Sequence, residues 1–512
     1  MISTLCFLCF AACFLPAIGY FEGDQIAEQW YASLSLLLLF ILYVLFKLMH
    51  NTCSKEQIIQ AICRASAVIL NTECVYSLWK GYPFHNAIHG TCDNPTGLAL
   101  NICMLLPFLC KSLVYDKDKS YFCLITLLMA FVTIILTHCR AAFICLLLLL
   151  VINVLFGPMK RWVKVSIFVC AIVAGATLCV GYKNKSNMGR QLILHNSLEL
   201  IKAEPLVGYG KNGFCRVYMS KQAEYFKKNP NSQYGLLADE VQHPLNEFVS
   251  VWIKYGIIGV SVLLGLLLFP FIQSLRNRNL LQLCILCVIM VFALTSYPFS
   301  YPMPCFLLTG INVINLYKIA DKQLKRIWGQ YKRFIFSFTL LIISICVCCF
   351  MMKFEFDYRW NRAAYIGERG HRREALREFK SLKSHYENNP YFLYNYMYEL
   401  VCVGDMHNAT QIHRLLSNLM SSYNLELLAG DTYRYKQQYA EALQHYETAM
   451  WMCPVRFAPL EGMMQTYRDN GDAFHADSIA QVILDKPVKV PSPQVEEIKR
   501  KAREGISSKM TM

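Results

Sequence analysis

Long apolar runs separated by short polar joints dominate the first two thirds of the chain. Runs able to cross about 30 Å of hydrocarbon recur near residues 2–20, 31–48, 59–79, 97–114, 120–137, 141–157, 163–181, 256–273, 279–297, 302–317 and 334–352. That pattern predicts an all-α, polytopic helical membrane protein of about eleven spans. One long polar stretch, 182–255, interrupts it. It opens on a helix-compatible pattern, turns at Pro205-Leu206-Val207-Gly208-Tyr209-Gly210, and returns through an amphipathic segment that begins at His243. Turn chemistry and amphipathic pattern together predict a folded loop rather than a tether.

Beyond Asp357 the pattern changes to that of soluble helices, and a 34-residue template repeats through it. Gly430, Tyr433, Ala442, Tyr446, Ala449 and Pro454 define one copy; Tyr467, Gly471 and Ala476 belong to the next. Earlier copies keep Ala363, Gly370, Ala375, Phe379 and Leu382, then Gly404, Ala409 and Leu416. This resembles tetratricopeptide repeats, three to four of them, in which small residues let paired helices approach and stacking buries a shared core. The expected organisation is a membrane domain over 1–352 holding the 182–255 loop, helical repeats over 357–490, and a capping helix with a frayed tail over 491–512.

Composition fits this division. The 512 residues are 55% hydrophobic, with a mean hydropathy of +0.32, too apolar for a soluble globular protein. The net charge of +15 would suggest nucleic acid in a soluble chain, but here it sits in short joints and in the polar loop, so no nucleic-acid partner is expected. Lys47 and Lys55, Lys111 to Lys119, Lys160 to Lys164, Arg276 and Arg278, and Lys318 to Arg333 fall in alternate joints, which the positive-inside rule places in the cytoplasm. The loop and the repeats are then outside. Arg64 and Glu73 make the third run the weakest, and losing it would invert only the first two. Most of the 23 cysteines lie inside apolar runs and read as small packing residues; Cys92, Cys215, Cys402 and Cys453 lie outside them. No Lys or Arg precedes the first run, which favours an uncleaved span over a cleaved signal or processing at Cys13.

Lys183, Lys185, Arg190, Lys202, Lys211, Arg216, Lys221, Lys227 and Lys228 outnumber the acids of the loop, so it favours an anionic ligand. Arg190, PLVGYG with Phe214 and Tyr218, His243-x-x-Asn246 and Gly256-x-x-Gly259 follow one another in an order that resembles the O-antigen ligase and polymerase superfamily of bacterial membrane glycosyltransferases. THCRAA around Arg140 and GTCDNPTG around Asn94 are similar to two further elements of that family. Cys139, Ala141 and Pro244 depart from its pattern. The resemblance covers roughly residues 1–350.

The resemblance implies transfer of a glycan from an undecaprenyl-pyrophosphate donor to an acceptor in the periplasm, by an enzyme of the inner membrane, with inversion at the anomeric carbon and without metal or cofactor. Lipid A-core, another glycan or a protein would be the acceptor, and a polymerase joining lipid-linked repeat units shares the same motifs. Arg140 and Arg190 have the planar, permanently charged fork that binds phosphate oxygens in pairs, and the His243 imidazole titrates where a general base must. Plainer readings stand beside these: an interfacial anchor for Arg140, a solvated charge for Arg190, a helix cap for His243. Glu247 is expected one helical turn after His243, on the same face, orienting its ring or ligating a metal with it and Asp239, although no second His recurs at zinc spacing. Asn246 is a further supporting residue. The repeats carry packing residues and no catalytic cluster, which suits recruitment of an acceptor or a periplasmic protein. A non-enzymatic scaffold displaying the repeats is the rival from another class, and it leaves Arg140, Arg190 and His243 unused; a transporter fits less well, because the polar residues gather at the outer edge.

Overall fold

The computed structural model describes residues 30–31, 33–34, 55–115, 120–156, 184–319 and 330–510. Among them regular structure is helical throughout. In chain order the helices are α1 (Lys55–Gly81), α2 (Pro95–Tyr115), α3 (Ser120–Thr137), α4 (Arg140–Phe156), α5 (Asn184–Ala203), α6 (Gly213–Lys228), α7 (Glu247–Arg276), α8 (Leu280–Thr295), α9 (Pro302–Ile319), α10 (Lys332–Glu368), α11 (Arg372–Leu382), α12 (Pro390–Cys402), α13 (Met406–Leu416), α14 (Tyr423–Tyr435), α15 (Tyr439–Met452), α16 (Ala458–Asp469), α17 (Ala473–Asp485) and α18 (Pro493–Met510). The expected spans at 2–20 and 163–181, nearly all of 31–48, and Cys13 lie outside the described residues; each of the other eight expected spans falls on a helix.

Two compact units emerge: residues 1–182, 245–248 and 261–358 form one, and 183–244, 249–260 and 359–512 the other. In the first, α2 is central and packs against α1, α3, α4 and α8. Residues 95–112 of α2 and the whole of α7 are long and apolar enough to cross a membrane; the apolar stretches 121–137, 140–156, 280–295 and 302–316 are shorter. Burial separates the two long ones: 78% of the α2 stretch is buried, against 28% of that in α7. Leu264, Leu266, Leu268 and Ile272 of α7 are exposed, as are Ile125, Leu128 and Phe131 of α3. Water would penalise so continuous an apolar surface at about 25 cal/mol per Å², whereas hydrocarbon would not. Buried amides find partners inside the unit, as where Asn312 of α9 donates to the Leu266 carbonyl of α7 at 3.0 Å.

The second unit is built on helical hairpins. Gly370, Gly404, Gln437 and Gly471 all adopt positive φ at the turns that join α10 to α11, α12 to α13, α14 to α15 and α16 to α17. Their spacing stays near 34 residues, and each turn closes the same way. The amide of the positive-φ residue, and then that of the next residue, reach back to carbonyls of the preceding helix, as in Gly404 N to Val401 O (3.0 Å) and Asp405 N to Leu400 O (2.9 Å). Ala375, Ala409, Ala442 and Ala476 recur at the same interval and are all fully buried. Tyr446 shows why small residues recur: a β-carbon on Gly430 of α14 would lie 2.5 Å from its ring, and one on Gly462 of α16 2.4 Å. Its hydroxyl donates to Asp431 at 2.6 Å.

The polar loop folds onto these hairpins. Leu200 and Ile201 of α5, Phe214, Tyr218, Met219 and Ala223 of α6, Ile253 of α7, Tyr423 of α14, and Ala449, Met452 and Cys453 at the end of α15 share one buried cluster. Gln222, fully buried on α6, donates to the carbonyls of Asp239 (3.1 Å) and Met452 (2.7 Å), and Ser421 N donates to Cys215 O at 3.0 Å.

Candidate active site

In the first unit the polar groups of interest gather where several helices begin or end. Asn94 caps α2, with its Oδ1 accepting from Gly97 N at 2.8 Å, and Pro95 occupies the first helical position, where a missing N–H costs nothing. The Asn94 amide nitrogen donates to the hydroxyls of Tyr297 (2.5 Å) and Tyr301 (2.9 Å), and the Tyr301 hydroxyl donates to Asp93 Oδ1 at 2.5 Å. A β-carbon at position 97 would lie 2.5 Å from that hydroxyl, so the Asn-Pro-Thr-Gly sequence needs its glycine in order to admit Tyr301. Nearby, His138 at φ 51° separates α3 from α4, Thr137 Oγ1 accepts from Cys139 N at 3.3 Å, and Arg140 is the first residue of α4. Ile88 N donates to Leu136 O at 3.2 Å, and α2 packs against α4. Arg140 is half-buried there. Asn246 donates to the Leu294 carbonyl at 3.1 Å and ties the approach to α7 to the end of α8. Glu247, the first residue of α7, is buried.

Arg190 and His243 belong to the second unit. Arg190 is exposed on α5, and His243 is half-buried on the strap that runs from Ala238 to α7. Several contacts fasten that strap. Ala238 packs with Leu192 and Phe226, Arg456 pairs with Asp239, and Asn424 donates to Glu240 at 3.1 Å. Burial pushes the Glu240 carboxyl above its usual range, opposed by the Arg456 charge.

The expected relation of His243 to Glu247 is corrected. Residues 243–246 are not helical, and α7 starts only at Glu247. Pro244 supplies no N–H, and Leu245 adopts φ 54°, so no helical turn sets the two side chains on one face. Among the described residues, no group of three or more His, Cys, Asp or Glu is placed to hold a metal ion.

The PLVGYG and Gly256-x-x-Gly259 motifs turn out to be two halves of one lock. Gly256 breaks α7 at φ 62°, ψ −163°. The break leaves backbone groups that the turn satisfies: Tyr209 N donates to Ile253 O (2.8 Å), Gly210 N to Lys254 O (2.8 Å), and Ile257 N to Pro205 O (3.0 Å). Trp252 Nε1 adds a bond to the same Pro205 carbonyl at 3.0 Å. Gly208 sits at φ 71°, where a β-carbon would lie 2.6 Å from Ile253 O.

Sequence reasoning passed over Asp93, Tyr297, Tyr301 and the Arg456–Asp239 pair. The doubled Tyr-Pro at 297–298 and 301–302 was the available signal for the two tyrosines. Nothing local could have joined Arg456 to a residue more than two hundred positions away.

Residues 125–264 match the O-antigen ligase family. That range takes in Arg140, Arg190, His243, Asn246, Glu247 and both halves of the lock. An uncharacterized protein of Haemophilus influenzae is 27% identical over 313 residues, which span 53% of this chain and 73% of the relative.

Proposed function

We propose that this chain is an O-antigen ligase-like glycosyltransferase of the bacterial inner membrane, crossing it about eleven times, with the loop and the tetratricopeptide-like repeats in the periplasm. The observation that carries the reading is the O-antigen ligase match over 125–264, which falls on the cationic loop and on all five candidate residues.

In this reading the donor is a glycan on undecaprenyl pyrophosphate, and the acceptor is lipid A-core, a glycan or a protein. His243 takes the proton from the acceptor hydroxyl as that oxygen bonds to the anomeric carbon. The bond from that carbon to the pyrophosphate oxygen breaks from the opposite face, so the product is inverted and undecaprenyl pyrophosphate leaves with the bonding electrons. Arg140 and Arg190 hold the pyrophosphate as its negative charge grows, with two parallel N–H···O bonds each. Asn246, bonded to the α8 carbonyl, and the buried Glu247 support the approach to α7. The strap carrying His243 is anchored to the repeats through Asp239 and Glu240, so the repeats serve the loop as well as any acceptor or periplasmic protein they recruit.

The test is transfer measured with purified lipid-linked donor, together with glycan profiling of a deletion strain to identify the acceptor. His243→Ala should insert normally and lose about 10² to 10⁴ in rate, the usual contribution of a positioned base. Arg140→Lys and Arg190→Lys should weaken donor binding, since a point charge replaces a fork. Near-native turnover by His243→Ala would remove it from the mechanism.

A further inference from the structure

The segment 82–90, between α1 and α2, roofs a cavity of about 280 Å³ that the mechanism above leaves unused. Ser77, Lys80, His85, Asn86 and His89 supply its polar lining, and no carboxylate is among the lining residues. Lys80 donates one N–H to the Gly90 carbonyl at 3.1 Å, and its ammonium lies 5.9 Å from the Tyr76 ring and near the buried Glu73 carboxyl. The His89 ring is held by Nδ1 against the Cys92 carbonyl at 2.7 Å, and Nε2 is its other polar atom. Glu73, the acid buried beneath, accepts on one oxygen from Thr91 N (3.2 Å), Thr91 Oγ1 (3.0 Å) and Ser77 Oγ (3.3 Å).

Two further features fix what such a cavity suits. Trp79, Tyr82 and Phe84, next to the lining residues in sequence, are 74%, 76% and 40% exposed, and exposed aromatic side chains of this kind gather at the headgroup level of a bilayer. Ile88 N bonds Leu136 O, so the cavity lies at the same end of the unit as Arg140. A pocket lined by Lys80, His85 and His89 and flanked in sequence by exposed aromatics matches a phosphate carried on a lipid chain. We propose that this cavity binds a lipid-borne phosphate, through Lys80, His85 and His89. The phosphate is that of an anionic phospholipid headgroup or of the donor pyrophosphate; only the second source rests on the function proposed above.

The experiment uses the full chain in a phosphate-free maltoside detergent, with native mass spectrometry titrations of phosphatidylglycerol and, separately, of undecaprenyl pyrophosphate. Lys80→Gln combined with His85→Gln should lower the affinity for one of the two by about tenfold or more, as expected when charge-assisted hydrogen bonds are lost. Lys80→Arg should keep it. Loss confined to undecaprenyl pyrophosphate assigns the site to the donor, and loss confined to phosphatidylglycerol assigns it to the headgroup. Unchanged affinity for both overturns the proposal. If Lys80→Gln unsettles the 82–90 segment, His85→Gln alone decides, because that side chain is exposed. A wild-type chain that fails to transfer glycan would sink the proposed function and still leave these titrations readable.

Discussion

Replacing Gly256 by alanine should detach the 205–210 turn from α7 while leaving the rest of the second unit folded. The backbone at φ 62°, ψ −163° lies in a region that essentially only glycine occupies, at a cost of about 1–3 kcal/mol for other residues. The new methyl would also lie 1.9 Å from the Leu206 carbonyl oxygen, with the Leu206 carbon and Val207 nitrogen just behind. All three are backbone, so no rotamer change relieves the clash. The chain escapes by straightening α7, which returns Ile257 N to its helical acceptor Ile253 O and expels the turn. What is lost is the set of bonds donated by Tyr209, Gly210, Trp252 and Ile257, each worth about 1 kcal/mol, partly offset by the helical bonds regained. The net local penalty is about 2–4 kcal/mol. At 1.4 kcal/mol per factor of ten, that corresponds to roughly 30- to 1,000-fold faster hydrogen exchange at Tyr209 and Gly210. Gly265→Ala on the same helix is the control: nothing lies within 4 Å of its β-carbon, so exchange in the turn should not change. Native-like protection of both amides in Gly256→Ala would refute the lock.

Truncation after Tyr358 should unfold the polar loop as well as remove the hairpins, because Tyr218, Met219 and Ile253 lose Tyr423, Ala449 and Met452 from their shared core; tryptic digestion at Lys211 and Lys221 should become rapid, and a loop that stays resistant would show it folds alone. His413, buried against His445 and Tyr433, has its imidazole pushed down to about 4, chiefly by burial. The unfolded chain takes up that proton first, so stability from this group is lost as pH falls from about 6.5 toward 4, by up to about 3 kcal/mol. Near-ultraviolet circular dichroism of His413→Leu between pH 7 and 4.5 should show a flatter acid limb than wild type, and parallel curves would count against the assignment. Gly97→Ala should push the Tyr301 hydroxyl off Asp93 and Asn94 and lower the melting temperature, and it should cost less in a Tyr301→Phe background, where the contact at 2.5 Å is gone and the ring carbon at 2.7 Å remains; an equal cost in both backgrounds would place the crowding on the ring rather than on the hydroxyl.

How much of this was legible in the sequence follows from the range of each interaction. Helices, hairpin turns and small-residue positions depend on residues within a turn or two of one another, so apolar runs located eight helices, and the recurring Gly and Ala located the hairpins at 34-residue spacing. The same local chemistry marked PLVGYG as a turn. Local reading failed at residues 243–246, where a left-handed Leu245 defers the helix start in a way no periodicity records. It also treated the loop and the hairpins as separate parts. Their joining rests on Gln222 reaching Met452, Arg456 reaching Asp239, and Tyr218 packing near Cys453, each across more than two hundred residues. Such partners are chosen by which buried polar groups and apolar faces still lack cover once the helices have formed. The sequence by itself therefore determined the helices, the repeat and the chemical character of the loop, while the pairing of Asn94 with two tyrosines, the Gly256 lock and the anchoring of the His243 strap were decided only when distant surfaces closed on one another and had to satisfy every group they buried.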